Sequence, residues 1–285
     1  MRFGALIAPS LLALALAAPA AGATADARVA ALQVALRAKG VYAGTVDGVK
    51  GPQTVEAVRV FQQRARIPVD GIVGPQTRRA LGRLGRPGLG TRALSRGLRG
   101  WDVASLQFRL ALHGFPSGPF DGEFGARTDA AVRRFQEWSG LAPDGLAGPV
   151  TTRALALPPP ASPVTFMTPL FVPYTDGFGP RGNRMHTGID YPAPAGTPVL
   201  AARGGDVTVA GWLDGYGYVV AIAHEHGAST LYAHLSALLV RDGQEVAVGQ
   251  PIGRVGSTGD ATGPHLHFEL RVRGAAIDPI ASLRS

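Results

Sequence analysis

The feature that most constrains this 285-residue chain is an internal duplication at a fixed offset of 74 residues. Residues 32–81 align with residues 106–155 without a gap, and 22 of the 50 paired positions are identical. The identities include a Leu-Gln pair near the start, two Asp-Gly pairs and a closing Ala-Leu pair. Because a sequence repeat of this kind is one supersecondary unit, the N-terminal half is predicted to hold two copies of one small module.

Each copy has the pattern of three short helices. In the first copy, apolar residues recur at helical spacing up to Leu36, and Gly40 closes the segment as a C-terminal glycine does. Thr54 begins a second predicted helix, and Thr77 precedes a third that ends at Leu81. The Asp-Gly pairs fall between the helices, in turns where glycine accepts a positive φ. The sequence therefore predicts two small all-α modules.

The repeated motif also resembles a known module. Leu-Gln, Asp-Gly, Ala-Val-x-x-Phe-Gln and Asp-Gly-x-x-Gly-Pro-x-Thr, in this order, are similar to the three-helix peptidoglycan-binding module of many wall hydrolases. Copy one matches throughout, and copy two departs at Ala126, where copy one has Pro52. The resemblance implies binding repeats at 24–82 and 101–157, joined by a linker at 83–100, with peptidoglycan as the partner. We expect most motif side chains to build core and turns.

The N-terminus predicts export. Arg2 precedes an apolar run and then small residues up to Ala23, which together describe a cleavable signal peptide over residues 1–23. A membrane anchor would need about 20 consecutive apolar residues, and Pro19 cuts this run short. We therefore expect a secreted, cell-wall protein without stable membrane insertion. The absence of cysteine from the sequence excludes disulfide scaffolds, thiol nucleophiles and cysteine-ligated zinc.

The net charge of +8 is unevenly distributed. Residues 24–157 hold 19 basic and 10 acidic residues, whereas residues 158–285 hold 8 and 10. The linker at 83–100 carries five arginines and no acidic residue. Concentrated positive charge on an exported protein fits an anionic surface such as a cell wall, but an arginine-rich proteome explains it equally well. We expect no nucleic-acid partner, and the sequence leaves the oligomeric state open.

The second half of the chain has the sequence pattern of a β protein. A proline-rich linker at 158–166 is predicted to be a stiff spacer that holds the two halves apart. Over residues 167–285, short runs rich in valine and isoleucine are broken by glycine and proline. These runs are 199–200, 207–209, 219–222, 246–248 and 267–272. The predicted fold class is thus multidomain, with two all-α modules and one mainly antiparallel β domain.

Six of the seven histidines lie in this second half. His186 and Asp190 form an H-x-x-x-D motif in a predicted loop that enters a strand. His265 and His267 fall in a predicted strand, whose alternation puts both imidazoles on one face about 6.6 Å apart. Two imidazoles and a carboxylate are a common ligand set for catalytic zinc, which keeps a fourth position open for water. Each motif alone is weak, because either spacing also occurs by chance.

The surrounding residues make the combination specific. Phe-Gly-Pro-Arg at 178–181 precedes the first motif, Leu-Tyr-Ala-His-Leu-Ser occupies 231–236, and Gly-Ser-Thr-Gly at 256–259 leads to Thr-Gly-Pro-His-Leu-His-Phe-Glu at 262–269. In this order the motifs are similar to the lysostaphin-type (LytM-like) zinc endopeptidases. The resemblance runs from about residue 169 to residue 283.

That resemblance implies a function and a role for each residue. It implies a zinc metallo-endopeptidase that hydrolyses stem or cross-bridge peptides of peptidoglycan. The zinc ligands would be His186, Asp190 and His267. The acid–base and transition-state roles would belong to His234 and His265. The alternative is a catalytically silent wall-binding protein that docks or activates another hydrolase, and the intact set of five residues favours the enzyme.

The remaining candidates have simpler interpretations. His224 and His226 also have a metal-compatible spacing, but they lie at a predicted strand end and the resemblance assigns His224 no catalytic duty. His113 matches Lys39 of the first repeat and is expected to be exposed. Arg181 is expected either to position substrate or to support the fold, and the sequence does not separate these two roles.

Overall fold

Two sets of three α-helices form the first half of the structure, a computed structural model that describes residues 25–284. The predicted signal peptide at 1–23 lies outside the described residues. The helices are Ala27–Ala38 (α1), Pro52–Arg64 (α2), Pro75–Ala80 (α3), Trp101–Leu112 (α4), Ala126–Trp138 (α5) and Pro149–Ala154 (α6). The prediction of two three-helix modules is confirmed. Within the described part of the chain, every helix is too short or too polar to cross a bilayer.

The second and third helices begin earlier than the sequence predicts. α2 starts at Pro52 rather than Thr54, and α3 starts at Pro75 rather than after Thr77. Proline suits the first helical position, because its fixed φ matches the helix and its missing N–H would have no intrahelical partner there. Both threonines instead lie inside their helices, where they are buried and hydrogen-bonded.

A buried glutamine explains why the Asp-Gly pairs recur. Gln62 of α2 donates from Nε2 to Asp70 Oδ1 at 2.7 Å and to the Ile72 carbonyl at 2.9 Å. Its Oε1 accepts the Gly71 N–H at 2.8 Å. The equivalent turns are held by Gln33, Gln107 and Gln136. The repeated motif is therefore a clamp, in which one amide side chain fixes the turn that follows its helix.

Replacing Gln62 with leucine should lower the free energy of unfolding by about 2–3 kcal/mol. The change leaves the buried Gly71 N–H without its acceptor, and an unsatisfied buried polar group costs about 1–3 kcal/mol. It also removes the hydrogen bonds from Gln62 to Asp70 and to the Ile72 carbonyl. The neighbouring Gln63 is exposed, so Gln63→Leu is the matched control. Denaturant unfolding of both variants measures the effect, and equal midpoints for the two would contradict the clamp.

Within residues 25–284, thirteen strands follow the helices. They are Phe166–Met167 (β1), Gly179–Arg181 (β2), Arg184–His186 (β3), Ile189–Pro192 (β4), Pro198–Leu200 (β5), Gly205–Leu213 (β6), Gly217–Ala223 (β7), Ala228–Leu238 (β8), Glu245–Val246 (β9), Pro251–Val255 (β10), His265–Val272 (β11), Ala275–Ile277 (β12) and Leu283–Arg284 (β13). Nine of them form one sheet that includes the order β12-β11-β8-β7-β6-β9, in which the pairs are antiparallel. The predicted antiparallel β domain is confirmed.

The valine-rich and isoleucine-rich runs locate five of these strands, but they do not predict the longest strand. β8 has the sequence Ala-Ser-Thr-Leu-Tyr-Ala-His-Leu-Ser-Ala-Leu, which contains neither valine nor isoleucine. It nevertheless lies in the middle of the sheet between β7 and β11. Its core contacts come from leucine and from Tyr232, which is fully buried. Tertiary packing decides the conformation here, as it often does for strands.

The prediction that the proline-rich linker holds the two halves apart is wrong. Met185 of β3 is 7% exposed and belongs to the same apolar cluster as Trp101 and Phe108 of α4. Trp138 of α5 donates from Nε1 to the Val272 carbonyl at the end of β11, at 3.2 Å. Most linker residues are exposed or half-buried, and Phe166 at its end is buried in the core of the β domain. The modules on either side of the linker pack directly against each other.

The two repeats also share a core, and the segment between them is folded. α1 packs on α4, and the Ser105 hydroxyl donates to the Ala27 carbonyl at 3.1 Å. In the segment 83–100, Leu94 is fully buried and Arg92 pairs with the buried Asp102 at 2.7 Å. These contacts attach the basic segment to the second repeat.

His113 is buried, which corrects the expectation that it is exposed. It is 4% exposed, its Nε2 lies 3.1 Å from the Leu155 carbonyl, and its ring meets Phe135 edge-on at 5.3 Å. Burial lowers the pKa of His113. The equivalent Lys39 of the first repeat is exposed, so the two copies have diverged at this position.

Candidate active site

Strand β11 organises the candidate site. Its even-numbered side chains from 266 to 272 lie in the apolar core, and its odd-numbered side chains therefore share the opposite face. His265 and His267 are on that face, as predicted. In the sheet, His267 is paired with Asp190 of β4 on one side and with Ala233 of β8 on the other. The register alone brings one predicted ligand of β4 beside one of β11.

The three predicted ligands converge on one point. His267 Nδ1 lies 2.8 Å from Asp190 Oδ1 and 3.1 Å from His186 Nε2. His186 Nε2 lies 3.2 Å from the same carboxylate oxygen. Zinc bonds of about 2.0–2.1 Å in a tetrahedral site put neighbouring ligand atoms about 3.3 Å apart, so this spacing fits a zinc ion. All three side chains are buried, and in the part of the chain that the structure describes they are the His/Asp/Glu group suited to a metal ion.

The other ring nitrogens of the two histidines are already engaged. His186 Nδ1 lies 2.7 Å from the Gly177 carbonyl, and His267 Nε2 lies 3.1 Å from Glu269 Oε1. Because a carbonyl and a carboxylate only accept, each of these nitrogens carries the hydrogen. His186 Nε2 and His267 Nδ1, which lie beside Asp190 Oδ1, are therefore the two nitrogens that would bind a metal once it displaces any proton they carry. Such outer-shell partners fix the orientation of metal-ligating histidines.

Glu269 is the centre of this outer shell, and sequence reasoning gave it no role. It is fully buried and lies two residues after His267 on the same face of β11. Its oxygens accept from Tyr216 at 2.8 Å and from Arg271 Nε at 2.7 Å, and also from the Thr187 hydroxyl. Strand alternation was the signal that could have found it, since Glu269 continues the series that His265 and His267 begin.

Electrostatics keep the two carboxylates ionised. Burial raises the pKa of Glu269, but contacts with His267 and Arg271 outweigh it and lower the pKa to about 2. Burial likewise opposes ionisation of Asp190, yet its bonds to His186 and His267 hold its pKa well below the usual range. For His267, burial lowers the pKa, but bonds to Asp190 and Glu269 prevail and raise it to about 9. The site therefore attracts one positive charge, which is a proton in the absence of metal.

A local irregularity directs His234 toward this centre. His234 has a φ of 60°, and β7 and β8 shift register beside it between Tyr218 and Val220. Tyr232 and Leu235 both lie in the apolar core, which regular alternation forbids for residues three apart. The bulge at His234 resolves this, and its ring lies 4.7 Å from that of His265 between centroids. Bulges of this kind re-aim side chains near active sites.

His234 and His265 resemble each other in their hydrogen bonds. His234 Nδ1 lies 2.7 Å from the Thr258 carbonyl, and His265 Nδ1 lies 2.8 Å from the Gly263 carbonyl. In both rings the Nδ1 therefore carries hydrogen and Nε2 is the nitrogen that can exchange a proton. His265 Nε2 lies 3.9 Å from Asp190 Oδ1. Burial lowers the pKa of His234, which favours its neutral form.

The other sequence candidates lie at different distances from the centre. Arg181 donates to Asp190 Oδ2 at 3.3 Å and pairs with Asp176, so it contacts the carboxylate oxygen that faces away from the histidines. His224 lies elsewhere, with Nδ1 2.9 Å from the Gly204 carbonyl and Nε2 bonded to a threonine hydroxyl. His226 is exposed. The structure thus brings together the five residues assigned to the site and leaves these two histidines outside it.

Comparison with known proteins assigns both halves of the chain. Residues 184–279 match the family described as Peptidase family M23. Residues 25–81 and 99–155 match the family described as Putative peptidoglycan binding domain. The chain therefore carries a metallopeptidase domain of family M23 behind two peptidoglycan-binding repeats. Both resemblances recognised in the sequence are confirmed.

Individual relatives match about a third of the chain. The DD-carboxypeptidase/endopeptidase Mpg of Neisseria meningitidis serogroup B is 53% identical over 98 residues, 34% of this chain and 23% of that protein. The peptidoglycan DD-endopeptidase ShyA of Vibrio cholerae is 45% identical over 93 residues, 33% of this chain and 22% of that protein. The chain thus spans less than a quarter of the length of these relatives. The solved catalytic domain of lysostaphin from Staphylococcus simulans is 36% identical and covers 39% of this chain and 90% of that chain, with a TM-score of 0.36.

Proposed function

We propose that this protein is a zinc-dependent endopeptidase that hydrolyses peptide bonds in the stem or cross-bridge peptides of bacterial peptidoglycan. One observation carries the proposal: three ligand atoms within hydrogen-bond distance of one another face two further imidazoles across one side of β11. The relatives named as peptidoglycan endopeptidases support the substrate class. Since peptidoglycan lies outside the cytoplasm, we also propose an extracytoplasmic, cell-wall location for the enzyme.

The residue roles follow from donor chemistry. His186, Asp190 and His267 would hold the zinc, which when bound supplies Lewis acidity for water activation and for polarisation of the scissile carbonyl. His234 takes the proton of the attacking water on Nε2, because its burial favours the neutral ring. It then returns this proton to the leaving amine.

His265 has the complementary role. Its Nε2 lies 3.9 Å from Asp190 Oδ1 and is therefore beside the place where the three ligands would hold the metal. A protonated His265 can donate to the carbonyl oxygen as negative charge develops there. Arg181 holds the second oxygen of Asp190 in place.

The repeats would hold the enzyme on its substrate. We propose domain bounds of 24–82 and 101–157 for the repeats and 167–285 for the peptidase, with wall contact made by the repeats. Of the linker arginines, Arg92 and Arg99 are engaged in ion pairs within the chain. Arg83, Arg86 and Arg96 are exposed, so these three are the linker arginines available to an anionic wall.

The rival function, a silent protein that activates another hydrolase, requires no metal and no neutral base. The ordered outer shell around His186 and His267 has a purpose in metal binding and none in such docking. Solubilisation of dye-labelled sacculi by the purified full-length protein tests the proposal. We expect clearing that a chelator stops and added zinc restores. Clearing that ignores the chelator, or none from zinc-loaded protein, would contradict it.

Acid should weaken zinc binding. In the metal-free protein His267 holds a proton at any pH below its pKa of about 9, and the metal must displace that proton. The apparent zinc affinity should therefore fall about tenfold for each pH unit between pH 8 and pH 6 for every proton displaced. Competition with a chromophoric chelator, corrected for the chelator's own protonation, measures this slope. A pH-independent affinity would argue against histidine ligation.

Replacing Glu269 with glutamine should lower zinc affinity by about 10–100-fold, the usual effect of an outer-shell change. Glutamine keeps the size of the side chain but removes the charge that orients and polarises His267. Glu245 is exposed on β9, so Glu245→Gln is the control for a lost negative charge. Zinc affinity is measured as above, with thermal unfolding to confirm that both variants fold. Equal zinc affinities for Glu269→Gln and Glu245→Gln would show that Glu269 does not contribute to zinc binding.

A further inference from the structure

The hairpin that carries His186 stands apart from the main sheet. β2 and β3 pair with each other in a separate two-stranded sheet. An isolated two-stranded hairpin is marginally stable in water. Asp190 and His267, by contrast, are paired inside the nine-stranded sheet. One of the three candidate ligands therefore depends on support from outside that sheet.

The two repeats supply this support through equivalent atoms. The Gly182 and Asn183 carbonyls at the hairpin turn accept from the backbone N–H of Val46 at 2.7 Å and of Phe120 at 2.6 Å, respectively. Val46 and Phe120 are 74 positions apart, so they occupy the same place in the two copies. Each directly precedes the Asp-Gly turn that a buried glutamine clamps. The duplicated motif thus presents one fixed amide from each copy to consecutive residues of the hairpin.

Side-chain packing also holds the hairpin against the repeats. Met185, directly before His186, is 7% exposed and lies in the apolar cluster of the repeats together with Phe108 and Phe120. Its burial ties β3 to the helices on the side opposite the metal ligand. A strand of three residues is therefore fixed at both ends, by the repeats and by the contacts of His186.

A second contact locks repeat 2 onto the end of the sheet. The Gly114 carbonyl accepts from the Ala276 N–H of β12 at 3.2 Å. The Arg273 guanidinium lies 4.9 Å from the Trp138 ring, beside the bond from Trp138 to the Val272 carbonyl. Repeat 2 thus contacts both the hairpin and the β11–β12 edge, so it fixes one relative to the other.

We infer that the two repeats are a structural part of the metal site: they hold the β2–β3 hairpin in place and thereby position His186. Val46, Phe120 and Met185 are positioning residues, which act through the hairpin. The inference rests on the proposed function, which assigns His186 to the metal. It concerns the position of this ligand and not the hydrolysis itself. A fragment starting near Ser162 would lose these contacts.

The duplication provides a matched pair of variants in the full-length protein. Gly114 and Gly40 are equivalent, and both have a positive φ, 84° and 66°. An added methyl group at Gly40 meets nothing within 4 Å. At Gly114 it would lie 2.5 Å from the Ala276 nitrogen and 2.9 Å from the Ala275 carbonyl carbon. Alanine strains the backbone in either copy, but only Gly114→Ala pushes the repeat away from β12.

Zinc affinity and amide hydrogen exchange over residues 179–186 are the two readouts. We expect Gly114→Ala to weaken zinc binding by about tenfold or more and to accelerate exchange of the hairpin, whereas Gly40→Ala behaves like the wild type. Met185→Ala should also weaken zinc binding and accelerate exchange of the hairpin. If Gly114→Ala fails to fold, Met185→Ala tests the inference in its place. Its control is Met167→Ala in β1.

Three results would overturn the inference. The first is unchanged zinc affinity and exchange in both Gly114→Ala and Met185→Ala. The second is an equal effect of the two glycine variants together with a silent Met185→Ala, which would indicate helix-end strain alone. The third is tighter zinc binding in the displaced variants, which would mean that the repeats cover the site. Neither readout needs catalysis, so a wild-type protein that binds zinc but cuts no peptidoglycan would refute the proposed function and leave this inference standing.

Discussion

His234→Ala is expected to retain one equivalent of zinc and to lose about 10²–10⁴-fold in peptide hydrolysis, the usual contribution of general acid–base catalysis. His234 does not belong to the group of three ligand atoms. Its Nδ1 is held by the Thr258 carbonyl at 2.7 Å, and its ring lies 5.9 Å from that of His267 between centroids. Removing it therefore takes away the nitrogen that exchanges the proton and leaves the metal ligands in place.

The control for this variant is His226→Ala. His226 is exposed and has a φ of 56°, close to the 60° of His234. Both substitutions therefore put alanine in the same left-handed backbone conformation, and only one of them removes a ring from the site. Metal analysis and hydrolysis of a soluble peptide are measured on both. A metal-free His234→Ala protein, or one with wild-type activity, would show that the division between ligand and proton-transfer roles is wrong.

Asp190→Ala and His267→Ala should lose zinc and activity together. Asp190 Oδ1 contacts both ligand nitrogens, at 2.8 Å and 3.2 Å, and its charge offsets that of the metal. Without it, two imidazoles remain with no anionic ligand, so we expect zinc affinity to fall by more than the roughly 10–100-fold of an outer-shell change. Asp206 is exposed on β6, and Asp206→Ala is the control. Stoichiometric zinc in either ligand variant, at a concentration that saturates the wild type, would contradict the assigned set.

Local periodicity was sufficient to predict much of this architecture. The spacing of two between His265 and His267 places them on one face of any strand, because alternation is a property of the backbone. The helices of the repeats followed from apolar spacing and from glycine turns. α2 and α3 begin earlier than predicted because Pro52 and Pro75 suit the first helical position better than the threonines do.

The position of His234 relative to the metal ligands could not be read from periodicity. Regular alternation would place Leu235 and Tyr232 on opposite faces of β8, yet both lie in the core. The bulge that reconciles them depends on pairing with β7, which is a long-range contact. The resemblance to a known family supplied the role of His234, but the geometry that makes the role possible is a property of the sheet.

The packing of the repeats against the β domain also could not be predicted from the sequence. A run of prolines predicts a stiff segment, but stiffness does not decide whether its ends are far apart or packed together. Met185 carries no signal of its burial, because it lies in a short strand between glycine and polar residues. Its environment is made by helices more than 60 residues earlier in the chain.

The most direct test of the central claim is product analysis on a defined substrate. A purified peptide-cross-linked muropeptide dimer is incubated with the zinc-loaded full-length protein, and the products are identified by mass spectrometry. We expect fragments that differ from the dimer by one added water at a peptide bond, with every glycan link intact. A chelator should abolish these products, zinc should restore them, and His234→Ala should make them slowly or not at all. Cleavage within the glycan, or peptide products that form equally well with the chelator present, would contradict it.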